Sequence, residues 1–352
     1  MAGTRGAPRG ANARIGVIEA PHHHMTIGRI RMLNEGDESV HEPDGQEHWQ
    51  ENFLFHGWDS DFSNAFYLHL QYIPDQRLVD VRAGVALDGE MTTHVTHCSG
   101  SNAFDHPALQ VDIVEPFRHM RLGYEGIGQT GADAGGWHFS SQGEEGGTPF
   151  SFNIDLRSTM EPINWLDFTK DMFPDDNTGA FIRAKHYELG CRWSGTVRVG
   201  DQERHVSGLA WRDHSWGPRK FQADRTFWTP MVLDDGDTMV SAMTILFDGK
   251  WRGFAVESSA GKPQLIMDNY VARPHGKEDP GGFAFGETIG FGADGFRHYQ
   301  FDVERFVPAP RNWTVSGQGS RGIVDTVSRV RSGDRTGVGS LQFSPYAIAD
   351  AG

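Results

Sequence analysis

The residues best able to do chemistry in this chain stand together in Gly208-Leu209-Ala210-Trp211-Arg212-Asp213-His214-Ser215-Trp216-Gly217-Pro218-Arg219. The approach reads as a hairpin: Gly195 to Val199, a turn over Gly200 to Glu203, then an extended return from Arg204. Side chains on a strand alternate between faces. Arg212, His214 and Trp216 therefore share one face, and Trp211, Asp213 and Ser215 the other. An imidazole with an unperturbed pKa near ~6.5 can act as acid or base. A tryptophan ring on the same face can stabilise a cation by ~2 kcal/mol or more once desolvated. Gly217-Pro218 ends the strand, because proline has no ladder donor, so the group falls at a rim. The same residues would also serve as architecture, with tryptophan in the core and an Arg–Asp clamp at the turn.

Such a cluster needs elements to position it, and the pattern supplies strands. Phe66, Leu68, Leu70 and Tyr72 alternate with Tyr67, His69 and Gln71. Leu78–Leu87 and Met91–Cys98 flank Asp88-Gly89, a tight hairpin signal. The 44 glycines favour strands and turns over helices, whose interiors glycine destabilises. Asp248-Gly249 reads as a second tight turn, between Met239–Phe247 and Trp251–Ser258. The best helix candidate is Pro162–Met172, where Pro162 suits a first turn and Trp165, Phe168 and Met172 recur at helical spacing. The chain therefore reads as all-β and antiparallel. Its expected organisation is an irregular or disordered tail over 1–45, one β unit over 46–180 and a second over 181–346 that carries the RDHSWGPR stretch.

Composition excludes several function classes. A net charge of −15 with no basic run argues against nucleic acid, whose binding rests on clustered Lys and Arg. No stretch approaches the ~18 apolar residues of a membrane span. Cys98 and Cys191 form neither a disulfide framework nor a zinc spacing. His22-His23-His24 make no shaped metal site, and His94 and His97, three apart, face opposite sides of a strand. Gly126–Gly131 matches a dinucleotide fingerprint only as text, since no helix opens at its third glycine. Met1–Arg14 carries Arg5, Arg9 and Arg14 but no apolar core, so it is not a secretory signal. Without a secretory route the sequon at Asn312 has no weight, and a cytoplasmic location is expected.

The central stretch, with His186-Tyr187-Glu188 upstream, resembles an uncharacterised bacterial family with a G-x-G-x-R-D-H-S-W-G-x-R signature, similar to the AttH-like and carotenoid 1,2-hydratase proteins. Glu51–Pro74, with Phe55-x-Gly57-Trp58-Asp59, resembles the N-terminal half of that group, so the likeness spans roughly residues 50 to 345. Ala210 replaces the second glycine of the signature, and Lys220 stands where an acid is common. The resemblance implies two lipocalin-like antiparallel barrels or half-barrels side by side. It also implies alkene hydration or cyclisation, with His214 and Trp216 at the positions of the hydratases' His-x-Trp pair. Those enzymes also use a Tyr and an Asp further along, and Val240–Thr244 contains neither, so the likeness does not extend to that substrate.

The expected function is a lyase or isomerase that uses acid–base chemistry, with no cofactor and no metal, on an alkene of a hydrophobic isoprenoid, steroid-like or polyketide-like molecule. His214, Asp213 and Trp216 are the expected catalytic residues. Arg212, Arg219, Trp211, Trp58, Tyr187, His186 and Trp228 are the expected substrate contacts. The alternative is a non-catalytic lipocalin-like carrier of hydrophobic molecules. The expected partner is a small molecule, and a homodimer is left open.

Overall fold

Two-residue turns with matched backbone twist set the architecture. Asp88 and Gly89 both take positive φ, 51° and 87°, the type I′ pair whose twist suits antiparallel strands. The computed structural model describes residues 33–131, 147–169, 185–218, 225–247, 250–259, 263–267, 269–276, 283–292, 295–308 and 321–347. Residues 32–352 form one unit by their internal contacts.

The first sheet contains β1 (Trp49–Trp58), β2 (Ala65–Ile73), β3 (Leu78–Leu87), β4 (Glu90–Ser99), β5 (Leu109–Glu115), β6 (His119–Gly131), β7 (Thr148–Arg157), β8 (Ile163–Asn164), β9 (Lys185–Val199) and β10 (Gln202–Pro218). The pairing runs β1-β2-β3-β4-β6-β7-β9-β10, and β10 returns to β1. These eight strands therefore close into a barrel, with β5 added on β6 and β8 on β9. Closure removes the sheet edges. The interior is filled by alternate side chains, among them Phe53, Phe55, Phe66, Leu68, Val81 and Ile154, each at most 1% exposed.

The second sheet contains β11 (Arg225–Trp228), β12 (Met231–Leu233), β13 (Met239–Phe247), β14 (Lys250–Ser258), β15 (Gln264–Met267), β16 (Asn269–Gly276), β17 (Phe283–Gly292), β18 (Gly295–Pro308), β19 (Arg321–Ser332), β20 (Arg335–Gly339) and β21 (Gln342–Ala347). Its order is β15-β14-β13-β11-β21-β19-β18-β17-β16, with β12 and β20 bridging β13 to β19. Pro230, which has no donor, separates β11 from β12. The expected pair of lipocalin-like antiparallel sheets is thus the observed fold. A continuous apolar core runs from the first barrel to Trp228, Val232, Met239, Met243 and Phe254 of the second sheet.

The sheets divide between Pro218 and Arg225, not near residue 181. Residues 185–218 complete the first barrel, so the RDHSWGPR strand belongs to it. The sequence could not show this, because β10 pairs with a strand far upstream. The expected helix shortens at its start: Ile163 and Asn164 pair with Glu188 and Tyr187, and α1 covers Leu166–Thr169. Strand pairing there overrides the helical spacing from Pro162. The far end of that segment, the Asp248-Gly249 turn, His22–His24 and Asn312 lie outside the described residues. Gly126–Gly131 is strand, in keeping with rejection of the dinucleotide fingerprint. No described helix is long and apolar enough to cross a membrane.

The lead-in before β1 is tied down. Asn34 caps a 3-10 turn, Glu35–Glu38, through a capping box with Asp37, and Glu38 is buried.

Candidate active site

The register of β10 against its neighbours sorts the central stretch. On one face Arg212, His214 and Trp216 lie opposite Phe55, Phe53 and Glu51 of β1 and Leu189, Tyr187 and Lys185 of β9. This face lines the barrel interior. On the other, Trp211, Asp213 and Ser215 lie opposite His56, Leu54 and Asn52, and opposite Gly190, Glu188 and His186. The expected alternation holds, and it makes two separate clusters back to back.

The inner cluster is built with the lead-in. His214 is 2% exposed. Its Nε2 is 3.0 Å from Glu51 Oε1, and its Nδ1 is 3.1 Å from the Asp37 carbonyl. His41 Nδ1 reaches the same Glu51 oxygen at 2.8 Å, and the His41 amide donates to both carboxylate oxygens. Phe53 stacks on His214 at 3.8 Å and Trp216 on His41 at 3.9 Å. Burial holds His214 below the ordinary histidine pKa against the pull of Glu51. Burial would raise Glu51, but the two imidazoles outweigh it and hold the carboxyl low. Beside them Arg212 forms a two-pronged ion pair with Glu38, and Tyr187 OH donates to Glu38 Oε2 at 3.0 Å. Burial works against the Arg212 charge, yet Glu38 keeps it firmly protonated. Burial likewise pushes the Tyr187 hydroxyl well above its usual value.

The outer cluster lies where the first barrel meets the second sheet. His186 Nε2 bonds Asp213 Oδ2 and stands 3.4 Å from Glu188 Oε1. Trp228 Nε1 of the second sheet donates to Glu188 Oε1 at 2.8 Å. Trp165 lies on the His186 ring at 3.9 Å and meets Phe254 edge-on at 5.3 Å. Glu188 is fully buried, whereas the His186 and Asp213 side chains are each 13% exposed. Burial, reinforced by the Asp213 charge, raises the Glu188 pKa well above the ordinary range. Glu188 Oε2, Ser241 Oγ and Trp165 Nε1 are buried without a hydrogen bond.

Asp213 faces away from His214, as the alternation places it, and pairs with His186. Arg212 turns both terminal nitrogens to Glu38, so its fork is already taken by a carboxylate. Trp58 and Trp211 lie on the outer face around His56, whose Nε2 accepts from Trp58 Nε1 at 2.7 Å. Trp228 joins the outer cluster and Tyr187 the inner one. Arg219 lies outside the described residues.

Two sets of metal-ligating groups converge among the described residues: His41, Glu51 and His214 inside the barrel, and His186, Glu188 and Asp213 at the seam. In each, the ligand atoms lie within 4.8 Å of one another.

A family model described as a domain of unknown function, DUF7064, matches residues 34–347. The chain belongs to this family. The DUF7064 match begins at Asn34, so it includes the lead-in turn that carries Glu38. No curated protein sequence matches the chain significantly. Among solved structures it is similar to an AttH candidate of Nitrosomonas europaea, with a TM-score of 0.60 and 14% identity over 91% of this chain and 98% of that one. It is also similar to CghA in complex with Sch210972, with a TM-score of 0.52 and 12% identity over 85% of this chain and 88% of that one. Kievitone hydratase from Nectria haematococca gives a TM-score of 0.52 and 12% identity over 91% and 94%. At these identities the likeness establishes the double-barrel fold.

Four residues that complete the clusters were not singled out from the sequence. Glu38 and His41 stand in a polar lead-in with no periodicity. Glu51 is the third residue of β1 and is wholly buried, a position where a charge demands a partner. Glu188 was within reach, since it shares a strand face with His186.

Proposed function

We propose that this DUF7064 protein is a lyase or isomerase acting by acid–base chemistry, without a redox cofactor, on an alkene of a hydrophobic small molecule. The chemistry is assigned to the seam cluster of Glu188, His186 and Asp213. The observation that carries the reading is a wholly buried carboxyl, its pKa raised by burial and by the Asp213 charge, beside an imidazole–carboxylate pair. Titratable groups pushed apart by their surroundings divide into acid and base.

In this mechanism Glu188 gives its proton to one alkene carbon. The cation at the other carbon lies against the Trp165 and Trp228 rings, each worth ~2 kcal/mol or more once desolvated. The Asp213–His186 pair then takes a proton. It comes from the water that captures the cation in hydration, or from a neighbouring carbon in isomerisation. His186 Nε2, within 3.4 Å of Glu188 Oε1, is the route by which the proton returns. His214, the first candidate by sequence, is bonded through both ring nitrogens, to Glu51 and to the Asp37 carbonyl, and Trp216 stacks on His41, which supports a structural role for them. The kinship in fold with a protein named as a hydratase, and with one solved holding a small molecule, agrees with the reading.

The test is incubation with isoprenoids, sterols and polyketides, read by chromatography and mass spectrometry beside Glu188→Gln and His186→Ala. A product differing by one water, or an isomer, that disappears in both variants supports the proposal. Turnover unaffected by Glu188→Gln refutes it. Unchanged ligand bound equally by all three proteins leaves the carrier reading.

A further inference from the structure

The inner cluster takes no part in that chemistry, yet its donor set is unusual for a packed barrel core. We propose that His41, Glu51 and His214 form a site for a divalent ion of the zinc type, which fastens the lead-in to the first barrel.

The donor types fit first. Two imidazoles and one carboxylate, from three separate segments, bring two ring nitrogens and an oxygen within 4.8 Å of one another. Glu51 Oε1 stands 2.8 Å from His41 Nδ1 and 3.0 Å from His214 Nε2. Ligands held at about 2.0–2.1 Å in a tetrahedron stand about 3.3–3.4 Å from each other, so the side chains need part by only a few tenths of an ångström to admit the ion.

The hydrogen-bond roles point the same way. The Asp37 carbonyl can only accept, so His214 donates to it from Nδ1, which directs Nε2 at Glu51. Between Nε2 and the carboxylate oxygen 3.0 Å away a positive centre is required, either a proton or a bound cation. An imidazole whose second nitrogen donates to a backbone carbonyl is the usual support of a metal ligand. With His41 Nδ1 toward Glu51, the buried Nε2 of the same ring makes no hydrogen bond, and Asp37 Oδ1 lies 3.7 Å from it. That spacing is ready to close into a carboxylate–histidine–metal relay. The His41 amide, bonded to both Glu51 oxygens, fixes the carboxylate, and Phe53 and Trp216 fix the ring planes. A water would complete a four-coordinate ion.

The full chain, with His22→Ala, His23→Ala and His24→Ala as background against adventitious binding, would be stripped with chelator and titrated with zinc chloride. Calorimetry and elemental analysis of the dialysed protein would follow. One ion per chain is expected, with a rise in Tm, and His41→Ala should weaken binding at least about tenfold. His41 is partly exposed, so that variant should fold, and circular dichroism checks this. X-ray absorption on the zinc-loaded background protein needs no ligand variant and should show two imidazoles in the coordination shell. Absence of a retained ion in the folded background protein overturns the proposal. So does an ion kept by His41→Ala but lost from His186→Ala, since that places it at the seam.

Discussion

The Arg212–Glu38 pair offers the sharpest test of how the lead-in is held. Glu38 is 1% exposed and Arg212 5%. The carboxylate accepts two bonds from the guanidinium, one from Tyr187 OH and one from the Phe117 amide. Glu38→Gln keeps the shape and removes the charge, leaving a buried guanidinium uncompensated. Breaking such a pair from one side costs about 3–5 kcal/mol. Replacing both members by apolar groups is often neutral or stabilising, so Glu38→Leu with Arg212→Met should recover more than half of the loss. Urea unfolding followed by tryptophan fluorescence gives both numbers, and the double-mutant cycle gives their coupling. A Glu38→Gln protein within ~0.5 kcal/mol of the parent, the range of surface substitutions, would falsify the insertion of Glu38 into the barrel mouth.

Burial pushes His56 down to about 3, so it is neutral when folded and takes a proton when unfolded below its ordinary value. Stability should therefore fall as the pH drops below ~6.5, by roughly 2 kcal/mol at pH 5 from this group alone. The urea-derived pH slope should flatten by up to one proton in His56→Gln; equal slopes would count against it. The raised Glu188 pKa predicts a protonated-carboxyl infrared band at neutral pH that Glu188→Gln removes, and a spectrum unchanged by the substitution contradicts the assignment. A Cβ on Gly57 would lie 2.3 Å from Phe66 Cε1 and 2.9 Å from Trp193 Cδ1. Gly57→Ala should thus cost about 1–3 kcal/mol by overpacking, read as a lowered urea midpoint.

Much of the fold was legible because strands announce themselves locally. Leu78–Leu87 and Met239–Phe247 coincide with their observed strands, and alternation alone put Arg212, His214 and Trp216 on one face. What the sequence withheld is non-local. Nothing within β10 says that its partner is β1, and so nothing said that this strand closes the first barrel. Alternation also put Asp213 and His214 on opposite faces, without saying which groups each would meet. Their true companions, Glu51 and His186, come from other strands. Glu38 and His41 were hidden for another reason: a capped turn stabilised by tertiary burial leaves no periodic signal.

The closing seam of the first barrel also fixes when the protein can fold. β1 finds its second partner only when residues 209–218 are available, and ladders between such distant segments form slowly. During synthesis the barrel stays open until β9 and β10 leave the ribosome, with Phe53, Phe55 and Trp58 bare along an unpaired edge that invites aggregation. A fragment ending near residue 180 would keep that edge for good. A chain able to close the first barrel therefore runs to Pro218 at least, and chaperone dependence should drop once a nascent chain passes that point.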